Sequence, residues 1–350
     1  MPHAAPPPLE SWVRSILAPG QSRSHPQLMP LAGDASGRSY FRLRSAGRGY
    51  IVAHAPPETE NNAAFIAVRA LLDRAGVRVP ALFASNLEQG YLLLEDLGDD
   101  TLLPALDADT VDGYYSLAFE LLLRFVAIDT GECGLPAYDE ALLREELSRF
   151  DTWFLRGLLD YSPTTAERDM LEALYTALVQ SALAQPRVFV HRDFHSRNLM
   201  LHGGGRLAVI DFQDAVAGPL TYDLVSVLRD CYVRWPAERV REWAGQYWYM
   251  LQQATPVAVP DHATFQRWFD WMGLQRHFKV LGTFARLSLR DGRAAYLADL
   301  PRVIDYTLEV LARYAPEEPA FADCLDWYRR CVAPAVAREP WGRQPGSQSS

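Results

Sequence analysis

Lysine is almost missing from this chain. Lys279 is the only lysine among 350 residues, and 33 arginines supply the remaining permanent cations. Aspartate and glutamate together number 43, so the formal net charge is −9 at pH 7. A chain with this acidic balance does not present the basic surface that nucleic acid requires. The composition therefore argues against a nucleic-acid partner.

Cysteines and long apolar runs are also scarce. The four cysteines show no C-x-x-C spacing, which favours reduced thiols. No uninterrupted apolar run approaches the roughly 20 residues that span a membrane. The first residues carry neither the basic nor the apolar region of a secretory signal. We expect a cytoplasmic protein without a membrane partner.

The hydrophobic patterning predicts an α+β protein with two lobes. A hydrophobic fraction of 49% is sufficient for a large core, and a chain of 350 residues suggests two domains or lobes. Segments between residues 28 and 98 alternate as β-strands do, and apolar residues from about 99 onward repeat with helical spacing. We predict an N-terminal helix and β-rich lobe at 1–97, a mainly helical lobe at 98–334 and a flexible tail at 335–350.

The most informative stretch reads HRDFHSRN and begins at His191. An apolar segment precedes it, and a glycine turn at 203–205 separates two strand-like segments that come after it. The two strands predict a tight hairpin. This hairpin would present Asp193, Asn198 and Asp211 at one end, with His191 in a supporting position.

The spacing H-x-D-x-x-x-x-N, followed by I-D, is typical of phosphoryl transfer. Asp193 would accept the proton of the attacking hydroxyl. Asn198 and Asp211 would hold Mg²⁺ against the phosphates of ATP, because Mg²⁺ prefers hard oxygen ligands and keeps several of its waters. A zinc protease is excluded, since the glutamate of H-E-x-x-H is absent between His191 and His195.

A loop of small residues at 33–37 is the candidate phosphate-binding loop. Its small side chains would let backbone amides approach phosphate oxygens. It is not a P-loop, because the chain contains no G-K-S or G-K-T sequence. The strand-like segment that ends near residue 95 leads into the predicted linker between the lobes, which would also contact the nucleotide.

The nucleotide site lacks the lysine that kinases place on their third strand to hold the α- and β-phosphates. That strand ends here at His54. Arg38, Arg42 or His54 would substitute, or the loop amides and Mg²⁺ would suffice. The predicted nucleotide contacts are Ala35, Ser36, Gly37, Arg38, His54, Glu95 and Leu97.

The sequence after the hairpin disfavours a protein substrate. It lacks the glycine of D-F-G after Asp211, and it contains no A-P-E sequence. The next structural signal, Asp223, comes twelve residues after Asp211, which leaves no room for an activation loop. A hydroxyl of a small molecule is therefore the favoured acceptor.

These motifs resemble those of the aminoglycoside phosphotransferase-like kinases, a family that includes choline and sugar kinases. The family pattern H-G-D-L-H-x-G-N, I-D-W/F and G-x-x-x-x-D-L corresponds to HRDFHSRN, IDF and the segment from Gly218 to Leu224, which includes Asp223. The resemblance covers roughly residues 28–290. It implies a two-lobe kinase-like fold with a small β-rich N-lobe and a large helical C-lobe carrying the catalytic hairpin. It also implies that His195 lies near the transferred phosphate and that Asp223 braces the catalytic loop.

Four segments narrow the resemblance to the bacterial cytoplasmic kinases that phosphorylate N-acetylmuramate and N-acetylglucosamine in cell-wall recycling. They read DASGRSYFR from Asp34, APPE from Ala55, DFQDA from Asp211 and LQRHFKVLG from Leu274. The resemblance implies that ATP phosphorylates the C1 hydroxyl of a free amino sugar to give the α-1-phosphate. The partners would then be ATP and a small amino sugar.

The acceptor contacts and some alternatives stay open. Arg276 and His277 are favoured as sugar contacts, because an arginine can hold the lactyl carboxylate of N-acetylmuramate bidentately. Asp214 and Glu145 are further candidates, although Glu145 and Arg149 have the spacing of an exposed ion pair. An aminoglycoside, choline or homoserine kinase and a catalytically inactive nucleotide-binding pseudokinase are the alternatives, and the oligomeric state is open.

Overall fold

The computed structural model describes residues 6–17, 27–31, 37–131, 134–254 and 257–342. The chain forms two compact units. The first unit comprises Met1–Ala105 with Arg197–Asp214, and the second comprises Leu106–Ser196 with Ala215–Ser350. This division differs from the single boundary predicted near residue 97, because the chain returns to the first unit after Ser196.

The described helices and strands come in the following order along the chain. They are α1 (Pro7–Leu17), β1 (Met29–Pro30), β2 (Ser39–Ser45), β3 (Arg48–His54), α2 (Asn62–Arg74), β4 (Leu82–Asn86), β5 (Tyr91–Glu95), α3 (Val111–Val126), α4 (Glu140–Arg149), α5 (Thr165–Leu183), β6 (Arg187–Val190), β7 (Leu199–His202), β8 (Arg206–Val209), β9 (Val216–Pro219), α6 (Tyr222–Leu228), α7 (Ala237–Ala254), α8 (His262–Leu289), α9 (Leu300–Tyr314), α10 (Pro319–Trp327) and α11 (Ala333–Val336).

The first unit is built on an antiparallel sheet with strand order β1-β2-β3-β5-β4. Side chains alternate across it, so that Phe41, Val52 and Leu93 point to one face and are almost fully buried. Helix α1 adds Leu9 and Val13 to this cluster. The alternation of the sequence therefore produces a sheet with one apolar face covered by a helix.

The β7–β8 hairpin belongs to the first unit and not to the helical one, which corrects the prediction. Its backbone hydrogen bonds explain the placement. The N–H of Leu102 donates to the carbonyl of Leu199 at 2.7 Å, and the N–H of Val209 donates to the carbonyl of Arg78 at 2.8 Å. Partners much earlier in the chain thus fix the hairpin.

Helix α8 organises the second unit. It is 28 residues long, begins at a side-chain cap from Asp261, and is buried along most of its length. Helices α4, α5, α6, α7 and α9 and the π-helical segment Phe150–Leu158 pack around it. Gly282 allows α8 to pass close to the C-terminal end of α4, because a Cβ there would collide with the backbone carbonyl of Arg149.

The predicted fold class is confirmed: one unit carries a small β-sheet, and the other is mainly helical. The flexible tail predicted from residue 335 is wrong at its start, because Ala335 is buried in α11 and Pro340–Gly342 forms a 3₁₀ turn. Residues 343–350 lie outside the described residues. Among the described helices, none combines the length and apolarity needed to cross a membrane.

Candidate active site

Two carboxylates fix the backbone of the loop that follows β6 in the second unit. Asp223 accepts the N–H of His191 through Oδ2 at 2.6 Å and the N–H of Arg192 through Oδ1 at 3.1 Å. Asp230 accepts the N–H of Ser196 through Oδ2 at 2.8 Å. Both ends of the loop that carries Asp193 are therefore held by buried acidic side chains.

The residue before Asp193 has a strained backbone. Arg192 adopts a φ of +76°, in the left-handed region that costs a non-glycine residue about 1–3 kcal/mol. Its guanidinium donates to Glu146 Oε1 at 2.5 Å and lies over the ring of Tyr138. The contacts of the Arg192 side chain and the backbone hydrogen bonds to Asp223 stabilise this conformation. The conformation of Arg192 sets the direction of the backbone at Asp193.

Asp193 is an ionised carboxylate at neutral pH. Burial would raise its pKa, but the charges of Lys279, His195 and then Arg192 act in the opposite direction and hold the pKa at about 2. The N–H of Asp193 donates to Nδ1 of the fully buried His191 at 3.2 Å, a contact of the kind that a supporting residue makes. A carboxylate in this state can accept a proton from a hydroxyl.

His195 follows Asp193 on the same loop. Its N–H donates to the carbonyl of Asp193 at 3.0 Å, and the edge of its ring packs against Tyr232 with the ring centres 5.2 Å apart. The predicted position of His195 near the transferred phosphate stays a prediction.

The predicted metal ligands lie together in the first unit. Asn198 Nδ2 is 3.4 Å from Asp211 Oδ2, and Asp211 Oδ1 accepts from Gln213 Nε2 at 2.8 Å. Asp211 has a φ of +64°, a second strained position of the kind that clusters at functional sites. A carboxylate and a side-chain amide, whose oxygen and nitrogen are exchangeable by a flip, form a donor set that fits Mg²⁺.

A cavity of about 270 Å³ opens beside Asn198 and Asp211, entirely within the first unit. This volume is close to the lower end of small-molecule sites, roughly 300 Å³. One part of its lining is polar, and the other part is apolar. The apolar walls are formed by Leu31, Ile51, Phe65, Pro80, Leu94, Leu97, Met200, Ile210 and Phe212.

Two of the predicted nucleotide contacts, Glu95 and Leu97, line this cavity. The carboxylate of Glu95 is occupied by Arg78 at 2.5 Å and by the N–H of Ala81 at 3.1 Å. A nucleotide would therefore meet the backbone or methylene groups of Glu95 and not its charge.

Of the other predicted nucleotide contacts, Gly37, Arg38 and His54 do not line this cavity. Ala35 and Ser36 lie outside the described residues. The N–H of Gly37 donates to Glu60 Oε1 at 3.1 Å, so this amide is used within the protein. His54 packs its ring edge against Tyr91, and burial lowers its pKa, so that it is neutral at pH 7.

Arg38 is a buried cation near the predicted metal ligands. It is 4% exposed, and its Nε lies 2.9 Å from Glu60 Oε2. Burial raises the pKa of the cavity-lining Tyr40, and the charges of Arg38 and Asp211 both act on its phenol, which places the two charged groups in one neighbourhood. Arg42 lines the cavity, but two carboxylates, those of Asp96 and Asp99, hold its guanidinium at 2.8 Å each, whereas the ion pair at Arg38 Nε involves the single carboxylate of Glu60. Arg38 is therefore the better candidate for the missing lysine.

The predicted sugar contacts on α8 face the interior of the second unit, and a sugar contact at Arg276 or His277 stays a prediction. Its ring is fully buried and stacks on Tyr306, because α8 is surrounded on nearly all sides. Arg276 is 3% exposed and contacts Sγ of Cys231 at 3.4 Å.

Two further acceptor candidates lie at the surface. Glu145 is exposed and pairs with Arg149 at 2.7 Å, as the ion-pair alternative proposed. Asp214 is exposed at the end of the returning segment of the first unit. A sugar contact at either residue stays a prediction.

Glu146 and Lys279 form a buried cluster with Arg192, and the sequence patterns assigned neither of them a role. Glu146 is fully buried and accepts from Arg192, from Lys279 at 3.2 Å and from the hydroxyl of Tyr138. Burial would raise the pKa of Glu146, but Lys279 and Arg192 keep it lowered. A signal was present, because Glu146 falls on the apolar stripe of α4 with Leu143, where a lone charge requires a buried partner.

Comparison with known proteins identifies a phosphotransferase, which agrees with the buried carboxylate of Asp193 and the predicted metal-ligand residues Asn198 and Asp211. Residues 27–261 match the phosphotransferase enzyme family, and the chain belongs to that family. It is similar to the N-acetylmuramate/N-acetylglucosamine kinase of Pseudomonas putida, with 44% identity over 82% of this chain and 84% of the relative. The kinases with the same name from Pseudomonas aeruginosa and Neisseria meningitidis are 42% and 39% identical, over 87% and 83% of this chain and 91% and 87% of theirs.

Solved structures agree on the fold. A choline kinase from Streptococcus pneumoniae superposes with a TM-score of 0.57 at 15% identity, over 81% of this chain and 93% of that one. An ADP-bound aminoglycoside phosphotransferase gives 0.57 at 13% identity, over 87% and 98%. At these identities the likeness concerns the fold alone.

Proposed function

We propose that this phosphotransferase is an ATP- and Mg²⁺-dependent kinase that phosphorylates N-acetylmuramate and N-acetylglucosamine. The observation that carries the proposal is its similarity to relatives of that name, at 39–44% identity over more than four fifths of the chain. The ionised Asp193 and the oxygen pair of Asn198 and Asp211 supply the chemical groups that the reaction requires.

Each of these residues has a separate task in the proposed reaction. Asp193 takes the proton of the acceptor hydroxyl as the loose transition state forms. Asn198 and Asp211 would hold Mg²⁺, which would neutralise charge on the phosphates when it is bound. The apolar walls of the cavity accept the adenine, and Arg38 contributes positive charge on the side of the phosphates.

We further propose that the phosphorylated position is C1, giving the α-1-phosphate. An anomeric hydroxyl is more acidic than a secondary ring hydroxyl, so a carboxylate base needs less assistance to accept its proton. The two sugars are fragments of bacterial cell wall, and we therefore propose a role in peptidoglycan recycling. ATP is a cytoplasmic nucleotide, and we therefore place the enzyme in the cytoplasm.

An ADP-release assay with four acceptors tests the proposal. We expect release with N-acetylmuramate and N-acetylglucosamine, and only background release with kanamycin and choline. Asp193→Asn is the matched control and should show background release with all four. Turnover of kanamycin or choline above that of both sugars would favour the alternative acceptors, and nucleotide binding without any turnover would favour a pseudokinase.

A further inference from the structure

Lys279 is a buried cation in the interior of the second unit. It lies in the middle of α8 and is 7% exposed. Its Nζ donates to the hydroxyl of Tyr222 at 2.9 Å and lies 3.2 Å from Glu146 Oε1. An ammonium group loses several kcal/mol of hydration when it is buried, and one with two fixed partners is an unusual choice for packing alone. Its presence indicates that another group in the second unit requires the charge.

The contacts of Lys279 lead to the catalytic loop. Glu146 Oε1 receives both Lys279 and Arg192, and Arg192 is the strained residue directly before Asp193. Two cations thus share one glutamate, so the cluster of Lys279, Arg192 and Glu146 carries one net positive charge. Asp193 is the anion on the same loop that balances it.

Other charged and titratable groups also face these two side chains. Around Asp193 they are His191, Arg192, His195, Asp223 and Arg276. Lys279 additionally faces Tyr222 and Glu146. Among the groups that oppose the effect of burial on the pKa of Asp193, Lys279 has the largest effect.

We propose that Lys279 is a positioning residue for phosphoryl transfer, which acts through Glu146 and Arg192 to hold the loop that carries Asp193 in its productive conformation. The inference rests on the proposed role of Asp193 as the base. The only lysine of the chain thus serves the base and not the nucleotide phosphates. Arginine can keep the charge at this position, whereas methionine keeps the aliphatic stem and removes the charge.

The split between kcat and KM, together with rescue by the conservative variant, distinguishes this role from a purely structural one. In Lys279→Met, Glu146 loses one of its two cations, and the loop that carries Arg192 and Asp193 is held less firmly. We expect kcat to fall by about tenfold, which is about 1.4 kcal/mol, with the KM for ATP unchanged. Lys279→Arg keeps the charge and should restore most of kcat. An unchanged kcat in Lys279→Met, or a Lys279→Arg variant that is no more active than Lys279→Met, would overturn the proposal.

A second measurement needs neither turnover nor a Lys279 variant. Because the chain has one lysine, isotope-labelled lysine gives a single side-chain NMR signal from the full-length protein. Asp193→Asn removes the nearby anion and should shift this signal and lower the pKa of the ammonium. The exposed pair of Asp73 with Arg69 offers the control Asp73→Asn, which should leave the signal in place.

An unshifted lysine signal in Asp193→Asn would contradict the coupling, whichever acceptor the enzyme uses. A shifted signal in an enzyme that turns over neither sugar would refute the proposed function and keep the link between Lys279 and Asp193. The two failures are thus distinguishable.

Discussion

At the scale of single residues, two neighbouring carboxylates have opposite pKa shifts. Burial dominates for Asp223 and, with the charge of Asp193, raises its pKa to about 7, although two backbone N–H groups donate to it. Asp193 is also desolvated, but Lys279 and other cations hold its pKa at about 2. Environments that separate two carboxylates in this way assign them different roles, here the base and the support.

Asp193→Asn tests the first of these roles. The variant keeps the shape of the side chain but cannot accept the proton, so kcat should fall by about 10²–10⁴-fold. Affinity for ATP, measured by calorimetry, should change little, because the cavity in the first unit is untouched. A variant that keeps more than about a tenth of wild-type kcat would remove Asp193 from the role of base.

Arg38→Ala and His54→Ala form a matched pair that tests the substitute for the missing lysine. Arg38 is charged and held by Glu60, whereas burial keeps His54 neutral at pH 7 by lowering its pKa. Arg38→Ala should raise the KM for ATP or lower kcat clearly, and His54→Ala should stay within about twofold, below roughly 0.5 kcal/mol. Steady-state kinetics decide between them. If both variants stay within twofold, loop amides and the metal suffice.

At the scale of elements, the N-terminal turn of α6 holds the catalytic loop through Asp223. Asp223→Ala leaves the N–H groups of His191 and Arg192 without their acceptor, at a cost of about 1–3 kcal/mol for an unsatisfied buried group. The folded-state pKa of Asp223, about 7, lies above its ordinary value of 3.8. Its contribution to stability is therefore complete below about pH 4 and is lost as the pH rises towards 7.

The direction of this pKa shift predicts how the thermal stability of Asp223→Ala depends on pH. The deficit in Tm relative to the wild type should be larger near pH 5 than near pH 8, as measured by calorimetry at both values. A deficit that grows with pH would show that Asp223 is ionised throughout and that its pKa is not raised.

The close approach of α8 to the start of the π-helical segment leads to a second prediction at the scale of elements. A methyl group at Gly282 would collide with the backbone carbonyl of Arg149, so one of the two backbones must move. Gly282→Ala should destabilise the protein by about 1–3 kcal/mol, as overpacking does. Gly113→Ala is the control, because nothing lies within 4 Å of a Cβ there. Equal chemical denaturation midpoints for the two variants would contradict the packing.

Helical phase explains why part of the site was predictable and part was not. The motif from His191 to Asn198 indicates its chemistry through spacing alone. The choice between Glu145 and Glu146 depends on a rotation of about 100° around the axis of α4, which exposes one and buries the other. The burial of His277 was not predictable for a related reason, since a polar residue on α8 does not reveal that other helices cover it.

At the scale of the whole molecule, sequence patterns predicted the fold class but not the division of the chain. Strand alternation and helical periodicity are local, and they indicated which part of the chain is rich in strands and which is helical. The return of residues 197–214 to the first unit depends on hydrogen bonds to Arg78 and Leu102, which no local pattern reveals. Solved structures with the same fold include choline and aminoglycoside kinases, so the fold does not identify the acceptor.

Acceptor identity and the phosphorylated position are therefore the central claim, and the reaction product tests it most directly. Phosphorus NMR of the products from N-acetylmuramate and N-acetylglucosamine should show a phosphate coupled to the anomeric proton. Glucose should be at least about tenfold worse, because a site that recognises the N-acetyl amide leaves buried polar groups unpaired at about 1–3 kcal/mol each. A 6-phosphate product, or faster turnover of kanamycin than of either sugar, would contradict the account.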